Sequence, residues 1–377
     1  LKKVVIIGGG IGGLTLALAL KNQGIAVTVH EKHEQCQSQS TGFLIWSYAI
    51  RLLQEIGVPV EQVGTPLEVL EVHGRVGQLV SEMPIGEISR AHGADSYEIN
   101  RRRLTELMSD MVGDDLRRGH ECVRAETQGD SAVAMFADGT MDVGDVVIGC
   151  DGAHSAVRKA IHRDAELTML DSGGWIAVVD QHPPDLKLNR HMDFWQPGCK
   201  AGVADIGNGE ARWYVAFSQG VPSDVLSKKN QIMERMIHVP AVIQQCMDVT
   251  SEEQMVSTKA GDLLALDPWY EGRLLLIGDA AHTISPYAGM GACAAISDAH
   301  ALAQLLVQDQ DQDIESVFKN FQSQQKPAAD AIVMESRHGL DMSTCRSKFR
   351  NWIRDWGLSH IPEQKMHQVV SAMVTGH

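Results

Sequence analysis

Three clusters of small and acidic residues have spacings suited to holding a nucleotide. The first is Gly8-Gly9-Gly10-Ile11-Gly12-Gly13, between the apolar run 4–7 and the Leu- and Ala-rich stretch 14–21. The spacing Gly8-x-Gly10-x-x-Gly13 allows a tight turn, a close approach of backbone N–H groups to a pyrophosphate and close helix-on-strand packing, with the phosphate at the helix N-terminus. Such a triplet alone is weak, but a second apolar strand, 26–30, follows it. Glu31 then arrives about 20 residues on, where a carboxylate can accept ribose hydroxyls. The second cluster, Asp151-Gly152-Ala153-His154-Ser155-Ala156-Val157-Arg158, is delivered by a buried strand over 145–150. Asp151 and Arg158 suit a ligand, an ion pair capping the next helix, or both at once, and His154 reads as a loop histidine rather than a catalyst. In the third, a buried parallel strand over 274–277 stops at Gly278-Asp279 and a helix begins near Gly291. A flat ligand fits such a loop: Gly289 and Gly291 lack a Cβ, and free N–H groups at a helix start carry partial positive charge.

The Gly278-Asp279 segment resembles the GD motif of group A FAD-dependent monooxygenases, the p-hydroxybenzoate, salicylate and urate hydroxylase type. Residues 151–158 resemble the same family's D-G-x-x-S-x-x-R motif, and with Gly8 to Gly13 the three stand in the family's order across most of the chain. The resemblance implies that Asp279 hydrogen-bonds the ribityl chain of FAD, and that Pro286 and the backbone of Gly289 and Gly291 flank the isoalloxazine. It implies that Asp151 serves FAD and the passing nicotinamide, and that Arg101, three residues before Leu104 at a helix start, contacts FAD. His282 and Asp298-Ala299 also stand where the pattern wants them. Two places depart from it. Cys293 replaces a usual Asn, in a role expected to be largely backbone donation, and Ser47-Tyr48 replaces a common Pro-Asn, which hints at a different pocket shape.

The chemistry implied is the reduction of FAD by transiently docked NADH or NADPH, formation of a flavin hydroperoxide from dioxygen, and hydroxylation of an aromatic or heteroaromatic small molecule. The cofactor makes the bonds and the protein orients and excludes water; no catalytic side chain is identified. Competing readings are a related epoxidase or Baeyer-Villiger oxygenase, and a protein that holds flavin or a planar ligand without turnover. The element W-x-W-x-I-P of flavin halogenases is missing from the sequence.

These residues imply an α/β fold: a Rossmann-like FAD-binding domain with an inserted, mainly antiparallel β-sheet substrate domain and C-terminal helices. The expected boundaries are 1–75, 96–170 and 266–308 for the FAD domain, 76–95 and 171–265 for the substrate domain, and 309–377 for the helical region. Turn-rich strands are expected over 65–95, a short strand over 97–100 and then an amphipathic helix over 104–112. In Arg101-Arg102-Arg103 one guanidinium is expected to be a ligand and two solvated. Arg51 suits either a phosphate or solvent. Strand and turn signals over 173–217 give a second sheet, and Pro222-Ser223-Asp224 is expected to cap a helix to about residue 239. In the strand 211–217, alternation places Arg212, Tyr214 and Ala216 on one face and Trp213, Val215 and Phe217 on the other. The first is the expected substrate face, with Tyr214 bonding a ring hydroxyl or carbonyl or lying in the core. After an acidic and Gln-rich linker, 309–313, the basic residues Lys348, Arg350 and Arg354 interleave with Phe349, Trp352, Ile353 and Trp356. A membrane or partner helix is one reading; packing of these aromatics on the body is the favoured one.

With 377 residues the chain is long enough for about two domains. A net charge of −15 argues against nucleic acid or an anionic membrane as the main target of the surface. The seven cysteines are scattered without C-x-x-C, which suits a reducing compartment and no metal site. No run of about 18 apolar residues is present. A cytoplasmic monomer or homodimer is expected.

Overall fold

Continuous apolar runs form the interior strands of a parallel sheet. In the computed structural model, which describes residues 1–36, 41–219, 227–308 and 313–376, six strands lie in the order Tyr270–Glu271, Leu274–Leu276, Val146–Gly149, Lys3–Ile7, Ala26–Glu31 and Leu116–Arg118. All pairs are parallel except the edge pair of Tyr270–Glu271 with Leu274–Leu276. Because both faces are covered, Val4, Val5, Ile6, Val146 and Leu275 are fully buried. Helix Ile11–Asn22 packs against helix Gly291–Gln308, so closely that a Cβ on Gly12 would lie 3.3 Å from that of Ala295. The antiparallel strands Cys122–Gln128, Ser131–Phe136 and Met141–Gly144 form a small sheet; the first of these is not apparent from the sequence.

The second large sheet has seven strands, in the order Val256–Asp262, Thr168–Val179, Ala211–Ser218, Cys199–Asp205, Arg190–Gln196, Val69–His73 and Leu79–Met83. It is antiparallel except where Val69–His73 runs parallel to Arg190–Gln196. The chain has therefore entered this sheet before residue 69, earlier than the boundary expected at 75, and Thr168–Val179 joins it before 171. A short alternating strand looks the same in either sheet, and residues 74–78 turned out to be a hairpin tip rather than a linker. Residues 85–91, expected among strands, form helix Ile85–Ala91.

On the outer face Trp213, Val215 and Phe217 pack on helices Lys228–Arg235 and Ala241–Val249 in a core of their own with Ile232, Ile243 and Cys246. The expected cap at Pro222-Ser223-Asp224 lies outside the described residues; the helix there begins after Ser227, whose hydroxyl accepts from the N–H of Asn230 at 3.3 Å. Three helices follow the parallel-sheet half: Ile314–Ser343, Lys348–Ser359 and Glu363–Thr375. The favoured reading of the middle one is overturned. Phe349, Trp352, Ile353 and Trp356 do not pack on the body but stand 69, 51, 46 and 57% exposed, because the polar residues of that helix take the inward positions.

Candidate cofactor site

At the first turn, backbone geometry decides which residue is permitted. Gly8 has φ +107°, and a Cβ on it would lie 2.3 Å from the carbonyl oxygen of Cys150; on Gly13 it would lie 2.0 Å from that of Gly8. Neither position admits a side chain. Gly10 differs, since nothing lies within 4 Å of where its Cβ would point, so a ligand can come close to the backbone on that side. Glu31, at the end of the neighbouring strand, accepts from the N–H of Gly9 at 2.8 Å and of His33 at 3.0 Å.

The turn after Leu274–Leu276 is anchored from behind. Asp298, 2% exposed, accepts from the N–H of Gly278 at 2.8 Å and lies 2.6 Å from Nε2 of His282. Burial pushes His282 down and Asp298 pushes it up, with a net upward shift. Asp279 in front is the opposite case. Its side chain is open to solvent yet surrounded by enough protein that burial pushes the carboxyl up, against the pull of His282, Arg101 and Arg158. An accessible carboxylate in a poorly solvating setting is the condition of a group on the floor of a cleft.

Of the three consecutive arginines, Arg103 pairs with Glu210 at 2.7 Å and Arg102 lies 3.9 Å from Glu106. Arg101 is the one whose charge acts on Asp279, while its own N–H bonds the carbonyl of Thr41 at 2.8 Å. Arg51 lies exposed with its stem near Gly93. Asp151 and Arg158 do not form the direct ion pair considered above. Asp151 caps helix Ala156–Ile161 through the N–H groups of Ala156 (2.6 Å) and Val157 (3.3 Å) and takes the hydroxyl of Ser155. Arg158, 3% exposed, donates to the carbonyls of Ala280 (3.0 Å), Asp279 (3.4 Å) and Ala153, so it ties the second motif to the third. His154 is exposed.

The residues fit FAD on their own geometry: an open Gly10, a ribose-height carboxylate at Glu31, an open Asp279 facing Arg101, and an open left-handed Gly289 (φ +65°) after Pro286. Residues 2–336 match the FAD binding domain family. The chain belongs to that family. It is an FAD-dependent monooxygenase. It is 28% identical over 358 residues to aurachin C monooxygenase/isomerase of Stigmatella aurantiaca, covering 93% of this chain and 92% of that protein. It is also 28% identical over 357 residues to an FAD-dependent urate hydroxylase of Mycolicibacterium vanbaalenii, covering 90% and 88%. The fold matches that of Klebsiella pneumoniae HpxO, solved with FAD and uric acid, with a TM-score of 0.91, 21% identity and coverage of 100% and 97%.

In this monooxygenase the two departures from the family pattern touch each other. Cys293, fully buried, accepts from the N–H of Trp46 at 3.4 Å and is hydrogen-bonded to the hydroxyl of Tyr48. Its side chain thus has partners of its own, and burial pushes the thiol up to about 12, which keeps it protonated.

The turn Pro286–Ala288 is held by parts that the sequence did not connect. Ser336, in helix Ile314–Ser343, bonds Ser285 by hydroxyl (2.5 Å) and carbonyl (2.7 Å) and accepts from the N–H of Ala288 at 3.3 Å. Arg337 beside it grips the buried Asp262 of the seven-stranded sheet at 2.7 and 2.6 Å. Tyr287 bonds the hydroxyl of Ser172 in the same sheet. A Ser-Arg pair inside a long helix gives no periodic signal, so only the folded chain reveals these anchors.

The strand alternation is as expected, with the Trp213 face turned outward onto its helices. On the Tyr214 face, however, Arg212 is committed: it donates to Glu98 through Nε (2.7 Å) and Nη2 (2.9 Å). His191 bridges Glu98 (2.8 Å) and Asp193 (3.1 Å), and Lys200 lies 2.9 Å from Asp193, which also accepts from Tyr214. Glu98 belongs to strand Tyr97–Asn100 of the cofactor half, so this network bridges the halves. Arg212 also packs against Gly42, next to the Thr41 that binds Arg101.

Proposed function

We propose that this monooxygenase hydroxylates an aromatic or heteroaromatic small molecule held between the Tyr214 face and the loop at Pro286, with NADH or NADPH as a passing reductant and dioxygen as co-substrate. The observation that carries this reading is the continuity of Asp279, Arg101, Thr41, Gly42 and Arg212, which runs from the cofactor floor to the polar face of the seven-stranded sheet. Glu31 would hold the ribose, the Gly10 backbone the pyrophosphate, Asp279 the ribityl hydroxyls, and Pro286, Gly289 and Gly291 the ring. FAD, when bound, supplies the electron transfer and the oxygen activation. The chain orients the substrate and keeps water out.

Tyr214 has a defined part in that orientation. Burial and Asp193 hold its phenol well above its ordinary pKa, so it stays neutral, and its O–H donates a hydrogen bond to Asp193. Its oxygen therefore faces a ligand as an acceptor, which suits a ring N–H or O–H rather than a carbonyl. The urate hydroxylase named above supports a nitrogen heterocycle. Cys122, Cys150, Cys199, Cys246, Cys293 and Cys345 are free thiols, which supports a reducing, cytoplasmic setting. The test is consumption of NADH or NADPH under air that depends on an added phenol or N-heteroaromatic, with the product mass increased by one oxygen. Tyr214→Phe should retain FAD and weaken substrate binding by about 1 kcal/mol. Bound FAD with no substrate-dependent consumption across such a panel would remove phenols and N-heteroaromatics as its substrate class.

A further inference from the structure

Helix Lys348–Ser359 is mounted with its polar side inward. Asn351, fully buried, donates to the carbonyls of Cys345 (2.6 Å) and Ser347 (2.9 Å). Asp355, 5% exposed, accepts from the N–H of Arg75 at 2.9 Å and from Nε2 of Gln78 at 3.2 Å. Arg354 binds Asp355 at 2.6 Å and reaches the carbonyls of Met342 and Trp195 at 3.0 and 2.9 Å. These bonds set the rotation of the helix. They leave Phe349, Trp352, Ile353 and Trp356, spaced i, i+3, i+4, i+7, as a single stripe facing away from the body. The rings of Phe349 and Trp352 stack with centroids 6.3 Å apart. The bonds from Asp355 also bring the turn carrying Val76 and Leu79, 62 and 50% exposed, against the same helix. A helix of a soluble domain ordinarily turns such a stripe to the core, and an apolar surface of this kind marks an interaction site.

Charge selects the occupant. The chain carries −15, yet the exposed charges of this helix, Lys348 and Arg350, are cationic and its one acid, Asp355, is neutralised by Arg354, while the acids Glu82, Glu87 and Glu363 stand at its far end around Leu358 and Ser359. Indole rings flanked by long cationic side chains are the composition of a helix lying in a lipid headgroup region, where the rings sit at the boundary and the cations reach the phosphates. We propose that this helix docks the enzyme on the surface of an anionic bilayer, with the stripe in the headgroup boundary. No helix among the described residues is long and apolar enough to cross a membrane, so the contact is interfacial. The acidic remainder of the surface would be repelled by the same bilayer, which fixes one docking orientation.

The test is co-sedimentation of the full FAD-loaded chain with vesicles of phosphatidylcholine alone or mixed with phosphatidylglycerol. The expected result is binding to the mixed vesicles, weaker by on the order of tenfold to phosphatidylcholine alone and relieved by salt, with a blue shift of tryptophan emission. Two double variants, Trp352→Ser with Trp356→Ser and Lys348→Glu with Arg350→Glu, should each lower that binding by on the order of tenfold while FAD content is kept. The proposal fails if the protein stays in the supernatant with both vesicle types, or binds both equally. It also fails if the tryptophan pair instead dissolves a dimer seen by sedimentation equilibrium in protein that ignores vesicles, since the stripe would then belong to a second copy.

Discussion

The floor of the cofactor cleft and the polar face of the seven-stranded sheet are both rich in charged residues, but they are built on opposite terms. On the floor, groups are left open: Gly10 and Gly289 face free space, and Asp279 is accessible while burial raises its pKa. On the sheet face, groups answer one another: Glu98 takes Arg212 and His191, and Asp193 takes His191, Lys200 and Tyr214. The difference teaches where a ligand is required. A buried polar group without a partner costs about 1–3 kcal/mol, so open groups in a poorly solvated cleft await a ligand, whereas a closed network holds the two halves together and offers a ligand only its leftover lone pairs.

The largest effect should come from breaking the open side at its tightest point. Gly13→Val places a side chain where a Cβ alone would lie 2.0 Å from the oxygen of Gly8, so the phosphate turn cannot close and the purified protein should be colourless and refuse added FAD. On the closed side, Glu98→Gln should lower stability by about 3–5 kcal/mol, the usual cost of breaking a buried ion pair, as read from chemical denaturation, with FAD retained. The pH dependence follows from the same pair. Burial would raise Glu98, but Arg212 and His191 outweigh it and hold it at about 2, down from 4.5. Its stabilisation is therefore complete above pH 4.5 and lost as pH falls toward 2, and Glu98→Gln should flatten the wild-type fall in Tm over that window.

The smallest effect sharpens the contrast within a single loop. Asp298→Ala strips a buried partner from the N–H of Gly278 and from His282 and should cost about 1–3 kcal/mol of stability. Asp279→Ala should leave Tm nearly unchanged and weaken FAD binding by on the order of tenfold, the worth of one hydrogen bond to a charged group. Equal FAD affinities in the two variants, measured with equally folded protein, would remove Asp279 from the ribityl chain.

Much of the frame was legible because local chemistry dictates it. Apolar runs without alternation became the parallel strands, and only glycine fits at Gly8 and Gly13. Alternation in 211–217 gave the two faces of that strand correctly. Less legible was any residue whose meaning depends on a partner far away in the chain. Asp298 was legible only as a residue of the helix that matches the motif, yet it is the buried anchor of Gly278 and His282. Arg158 suited an ion pair with Asp151, and its guanidinium instead bonds the carbonyls of Asp279 and Ala280, 121 and 122 positions on.

What the sequence by itself determined, then, is the nucleotide turn, the order of the strands' hydrophobic runs and the family to which they belong, because these rest on sterics and periodicity within a few residues. What only the tertiary structure decided is the pairing of charges 93 and 114 positions apart, His191 with Glu98 and Arg212 with Glu98, the bracing of the Pro286 turn by Ser336, and the outward rotation of Phe349, Trp352 and Trp356. A helical stripe has the same period whether it faces a core or a lipid surface; which one it meets is set by the bonds of Asn351, Arg354 and Asp355 on the other side of the helix.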